Sequence, residues 1–211
     1  SSPFAPERAL VGLDPETGAE RGRVVLSDGL DPELTEARLA GPPVLVEGVV
    51  VVVAIENDQT KRTLVHHLLG YDAHSGERLW ATPLASTGLR PYSELLSPSD
   101  GLATIAGDVV HVTTLGAVAR VEARTGRLRW VREDPVADRP RVGAPPAPWR
   151  FQVPALTASR LVVLAPGRRE VLSLDPDDGT LRASARAQRF DSPHTLHVVG
   201  DTLVAVTDRR L

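Results

Sequence analysis

Two kinds of segment alternate along the chain. The first is apolar and β-branched, cut in two by a short polar turn: PVLVEGVVVVVA (43–54), LATIAGDVVHVTT (102–114), PALTASRLVVLAP (154–166) and TLHVVGDTLVAVT (195–207). The turns fall at Glu47-Gly48, Gly107-Asp108, Ser159-Arg160 and Gly200-Asp201, so each segment reads as a pair of strands joined by a hairpin. Their near-continuous apolar character fits strands covered on both faces. The second kind carries a fixed polar pattern: LVGLDPETGAERG (10–22), LLGYDAHSGERLW (68–80), VARVEARTGRLRW (118–130) and VLSLDPDDGTLRA (171–183).

Aligned on their glycines, the polar segments place Asp14, Asp72, Glu122 and Asp175 four residues before Gly18, Gly76, Gly126 and Gly179. Four residues after each glycine stand Gly22, Trp80, Trp130 and Ala183. The acidic side chain can accept backbone N–H groups at the start of a turn, and Thr17, Ser75, Thr125 and Asp178 can do likewise. The glycine supplies a positive φ that returns the chain into the next strand. Each polar segment is therefore expected to be strand, tight turn, strand, with the tryptophan packed against a neighbouring sheet.

The glycines are separated by 58, 50 and 53 residues. A mean near 54 is about the length of one four-stranded propeller blade. An all-β fold follows: a β-propeller of four-stranded antiparallel blades, about four blade-equivalents in one domain over residues 1–211. The units are 43–84, 102–133 and 154–187, with 195–211 and 8–26 making up the fourth. Three arrangements fit this phase: a small closed ring, a half-ring that pairs with another copy, or part of a larger propeller.

The quoted residues resemble the PQQ-like repeat family, whose signature is a small residue, an acidic one, Thr-Gly and a Trp four residues later. G-Y-D-A-H-S-G-E-R-L-W (70–80) and V-E-A-R-T-G-R-L-R-W (121–130) carry it best. The first and last copies lack the Trp, and Arg120 stands where a small residue is usual. The resemblance covers nearly the whole chain and implies a propeller of the BamB-type or quinoprotein-like kind. It does not imply a bound quinone.

Composition narrows the chemistry. A net charge of −3 and a pI near 6.1 give no basic face for nucleic acid. Without cysteine there is no disulfide, thiolate nucleophile or cysteine-ligated metal. The longest apolar run, Val49 to Ile55, is far shorter than the roughly 18 residues of a membrane-spanning helix. The six histidines, including adjacent His66 and His67 and the pair His194 and His197, do not share a strand face at metal-binding spacing. Asp175, Asp177 and Asp178 lack the bidentate Glu of a calcium loop. No phosphate-binding loop, nucleophile elbow or dinucleotide fingerprint occurs. No catalytic, cofactor-binding or metal-ligating residue is therefore assigned.

Binding chemistry is expected on the long connectors 27–42, 85–101 and 134–153, where Tyr92, Arg139, Arg141, Trp149 and Arg150 are candidate contacts. The functional expectation is a non-catalytic scaffold or sensor with a protein partner, a second copy or further blades. The alternative is a quinoprotein dehydrogenase. The missing first methionine and the habit of the family point to a periplasmic or extracellular place.

Overall fold

The computed structural model describes residues 9–25, 34, 37–58, 63–88, 101–114, 117–133, 153–165, 170–186, 193–199 and 202–207. Seventeen strands run through them, and no α-helix is present among the described residues. The apolar segments and polar motifs become strands because each carries alternating side chains toward two neighbours rather than a single helical stripe.

The first hairpin joins β1 (Ala9–Leu13) to β2 (Glu20–Val25). The next sheet contains β3 (Arg38–Leu39), β4 (Val44–Val46), β5 (Val49–Asp58), β6 (Thr63–Asp72) and β7 (Arg78–Gly88). Both β3 and β4 pair with β5, each along a different part of it. Part of what reads as a 27–42 connector therefore lies in the sheet: Arg38 and Leu39 pair with Ile55 and Ala54.

A third sheet runs β8 (Gly101–Ala106), β9 (Val109–Thr114), β10 (Ala117–Glu122) and β11 (Leu128–Glu133), in that spatial order. A fourth runs β12 (Ala155–Leu156), β13 (Leu161–Ala165), β14 (Glu170–Leu174) and β15 (Leu181–Arg186). The last hairpin is β16 (Pro193–Val199) with β17 (Thr202–Thr207). All pairings are antiparallel, and each four-stranded succession is a meander.

First strands of consecutive sheets touch, β4 with β8, β8 with β12 and β12 with β16, as the inner strands of a propeller do. The core lies between successive sheets. Val51, Val53, Ile55 and Leu68 face Val110, Val112, Ala119 and Val121 of the next sheet. Val118 and Trp130 then meet Leu161, Val163, Leu172 and Leu174. Leu10 and Leu39 pack on Val52, Ala54, Leu69 and Tyr71, and Val198 packs on Ala155, Val162 and Val171. Because neighbours cover both faces of a central sheet, β5 alternates between two cores. That is why its sequence is an unbroken apolar run rather than an in-and-out alternation.

Candidate functional site

The recurring polar motif forms one local structure four times. The N–H groups of Gly18, Gly76, Gly126 and Gly179 donate to the carbonyls of Asp14, Asp72, Glu122 and Asp175, at 2.8–3.0 Å. Those four acidic residues donate in return to the carbonyls of Ala19, Glu77, Arg127 and Thr180, at 2.7–3.0 Å. The glycines have φ between 69° and 73°, a region that an L side chain enters at a cost. A β-bulge follows every turn, with Arg21, Leu79, Arg129 and Arg182 as the extra residue opposite Gly12/Leu13, Gly70/Tyr71, Arg120/Val121 and Ser173/Leu174.

The carboxylates act as expected from the sequence. Asp14 Oδ1 accepts from the N–H groups of Glu16 and Thr17, both at 2.9 Å. Asp72 Oδ1 accepts from His74 and Ser75 N–H at 2.9 and 2.7 Å, and Asp175 Oδ1 from Asp177 N–H at 2.8 Å. These donors hold the Asp14 and Asp72 carboxyls below the ordinary carboxylate range. For Asp175 the larger cause is Arg182, which donates to Oδ2 at 2.6 Å. Glu122 differs: its longer side chain takes Thr125 Oγ1 at 2.8 Å and the guanidinium of Arg127.

An arginine seven residues after the acid belongs to the motif and was not singled out from the sequence. Arg21, Arg129 and Arg182 reach back to Asp14, Glu122 and Asp175, while the second copy has Leu79 in that place. The four-way alignment already contains this recurrence.

The tryptophans fasten one sheet to the next. Trp80 lies over Gly126, and its Nε1–H donates to Ala123 O at 2.9 Å. Trp130 repeats this on the following sheet, lying over Gly179 and donating to Pro176 O at 3.1 Å. Thr82 Oγ1 adds a bond to Gly126 O at 2.6 Å. The ring of Trp80 also covers Gly70, its partner across β6 and β7, where a Cβ would come within 2.2 Å of the indole. At the equivalent place Arg120 instead extends to the next turn, donating to Asp177 Oδ1 at 2.7 Å.

Two buried histidines lie between sheets. His66 shares a hydrogen bond with Thr114 across the second and third sheets, while adjacent His67 turns the other way to Glu56, 2.9 Å distant. Their divergence follows strand alternation. His111 joins Trp130 on the Pro176 carbonyl, its Nε2 at 3.1 Å, and its Nδ1 is buried with no hydrogen-bond partner among the described residues. Burial pushes its pKa below the usual histidine value. Among the described residues, no three His, Asp or Glu side chains gather as metal ligands.

Of the residues singled out for partner contact, Tyr92, Arg139, Arg141, Trp149 and Arg150 all lie outside the described residues. The motif residues Asp14, Gly18, Asp72, Gly76, Trp80, Glu122, Gly126, Trp130, Asp175 and Gly179 all lie in equivalent turns and strands.

Radially successive antiparallel sheets, tied by an indole over the next turn's glycine, define a β-propeller of PQQ-like repeats. The chain belongs to the family described as outer membrane protein assembly factor BamB, which matches residues 6–208. Among curated proteins, none matches by sequence. BamB from Moraxella catarrhalis overlays 90% of this chain and 50% of its own, with a TM-score of 0.55 and 17% identity. Quinohemoprotein alcohol dehydrogenase from Comamonas testosteroni gives 0.57 at 16% identity, over 85% of this chain and 32% of that one. The Swd1 β-propeller domain of Myceliophteria thermophila gives 0.57 at 15%, over 94% and 60%. This chain thus spans half of that BamB and a smaller share of the dehydrogenase.

Proposed function

We propose that the chain is a non-catalytic propeller module, a scaffold or sensor that binds protein. One observation carries this reading: the recurring polar groups are spent inside the fold. Each motif carboxylate holds its own turn, and each motif indole donates to the next sheet's carbonyl. Such groups lend rigidity to a frame whose loops carry recognition. Membership in a family described as an outer membrane protein assembly factor supports the same reading, and an exported, periplasmic place with it. No helix among the described residues is long and apolar enough to cross a membrane.

Partner contact is assigned to the connector side chains Tyr92, Arg139, Arg141, Trp149 and Arg150, which combine aromatic and guanidinium chemistry. Further blades, from a second copy or a longer chain, are the other class of partner. The dehydrogenase neighbour sets the competing reading, a quinoprotein enzyme. Adding pyrroloquinoline quinone with calcium and following thermal unfolding separates the two, because a ligand bound by the folded state raises the midpoint. An unchanged midpoint is expected. A concentration-dependent rise would overturn the non-catalytic assignment.

A further inference from the structure

At two junctions between sheets an indole seat is filled from within the repeat. Trp80 is held between Gly70 of its own sheet and Gly126 of the next turn, with Ala123 O as acceptor. Trp130 rests on Gly179 with Pro176 O as acceptor. The junction of the first hairpin with the second sheet has the same frame. Leu10 packs on Leu69 and Tyr71 as Leu68 and Val118, also four residues before their acids, pack on the sheets that follow them. Gly12 and Gly22 are cross-strand partners there, as Gly70 and Trp80 are in the second sheet. Glycine replaces the tryptophan, yet the glycine that makes room for a ring is kept.

Neither Gly12 nor Gly22 has a left-handed φ, so the backbone does not call for glycine at either place. Glycine inside a strand then marks a close approach by another group. A Cβ at Gly22 would meet nothing within 4 Å, and one at Gly12 only backbone atoms of Gly22, at 3.8 Å and beyond. On the facing turn Ala73 is exposed and Gly76 partly buried, whereas Ala123 and Gly126, under the Trp80 ring, are buried. Tyr71, in the same junction, is 3% exposed, and its hydroxyl has no hydrogen-bond partner among the described residues. Val121 and Leu174 hold its place in the next two sheets and bring no polar group. A buried hydroxyl in this state marks a junction whose contacts another molecule completes.

We propose that this junction takes the indole of a tryptophan borne by a partner protein, the ring lying between Gly12 and Gly76 and its N–H donated to Ala73 O. The fold itself argues for that occupant. The same turn, with the same glycine and the same carbonyl three residues before it, accepts an indole at the next two junctions. A phenyl ring would fill the space without the donor, and an aliphatic chain would lack both the flat face and the donor. The site supplies the chemistry of a partner contact within the propeller-scaffold reading and rests on it.

N-acetyltryptophanamide is the probe. In heteronuclear NMR of the 211-residue protein it should shift the amides of Gly22, Ala73 and Gly76. Its dissociation constant should be of millimolar order, since one ring and one hydrogen bond are engaged. The phenylalanine analogue should bind about fivefold more weakly for want of the donor; equal binding by the two overturns the assignment to indole. Gly12→Ala adds a methyl that the free chain accommodates and the ring does not, as the 2.2 Å approach of the indole at Gly70 shows. It should weaken binding about tenfold or more while circular dichroism stays that of the parent, and undiminished binding refutes the site. Gly22→Trp should fill the seat from within, raise the thermal midpoint by about 3 °C and abolish the probe's shifts. A junction closed by another part of this chain would give neither a probe response nor a gain from Gly22→Trp, which overturns the proposal. That failure, with an unchanged quinone midpoint, would leave the scaffold reading standing, whereas a quinone-induced rise overturns the scaffold reading itself.

Discussion

Gly126→Ala tests the fastening of sheet to sheet directly. A left-handed φ of 69° costs a side chain about 1–2 kcal/mol wherever it occurs. Gly107, in the β8–β9 turn of the same sheet, has φ 60° and open space around it, so Gly107→Ala measures that backbone cost alone. At Gly126 a Cβ would fall 2.5 Å from Trp80 Cδ2 and 2.6 Å from Cε3. The ring cannot back away, because Gly70 lies against its other side. It must swing out, giving up the bond to Ala123 O, worth about 1 kcal/mol net, and leaving that carbonyl exposed to whatever water can reach it. Complete truncation of a buried tryptophan costs about 3–5 kcal/mol, which bounds the packing loss from above. The excess of Gly126→Ala over Gly107→Ala is therefore expected at about 2–4 kcal/mol in urea unfolding. For a chain of this length that corresponds to roughly 5–12 °C in the midpoint. In a Trp80→Ala background the excess should vanish, since the obstructing ring is gone. Equal costs at the two glycines, or an excess that survives without Trp80, would refute the argument.

Other consequences follow from the same contacts. Trp130→Phe keeps most of the ring contact with Gly179 but loses the donor to Pro176 O, and should cost about 1 kcal/mol in denaturant unfolding. His111 has a folded pKa below its unfolded value near 6.5, so the unfolded chain binds more protons and stability falls as pH drops below about 6.5. Denaturation midpoints measured from pH 8 to 5 should show that decline, and His111→Gln should flatten it. Asp14, Asp72 and Asp175 are shifted the same way as acids: their contribution is present above about pH 4 and is lost as pH falls through the lowered folded values. Asp72→Asn should remove part of that acid-side loss, read from the pH dependence of thermal unfolding.

The repeat was legible because its turn chemistry is local. An acid four residues before a glycine states both the acceptor and the positive φ, and the four turns form as that spacing requires. The tryptophan's role across sheets was legible in outline from its fixed place after the turn. Its landing site on the next copy's glycine was not, because the two are 46 and 49 residues apart and only the ring geometry brings them together. Arg38 and Leu39 were hidden for another reason. Two residues cannot display a period, and they join the sheet only because β5 runs past β4 and leaves an edge to pair. His66 with Thr114 and His111 with Pro176 belong to the same class of contact, invisible until distant segments stack.

The fasteners are unevenly spread, and that unevenness orders the molecule's stability. Indoles stand at the junction of the second and third sheets and of the third and fourth, while Gly22 and Ala183 occupy the same position at the outer junctions. In a repeat array each unit draws stability mainly from its immediate neighbours, so a junction without an indole is a weaker link. The two-stranded hairpins, each packed against one sheet among the described residues, should open first, ahead of the three complete sheets. Amide exchange should therefore be slowest on β9, β10, β13 and β14, whose sheets meet across the core filled by Trp130, and fastest on β1 and β17.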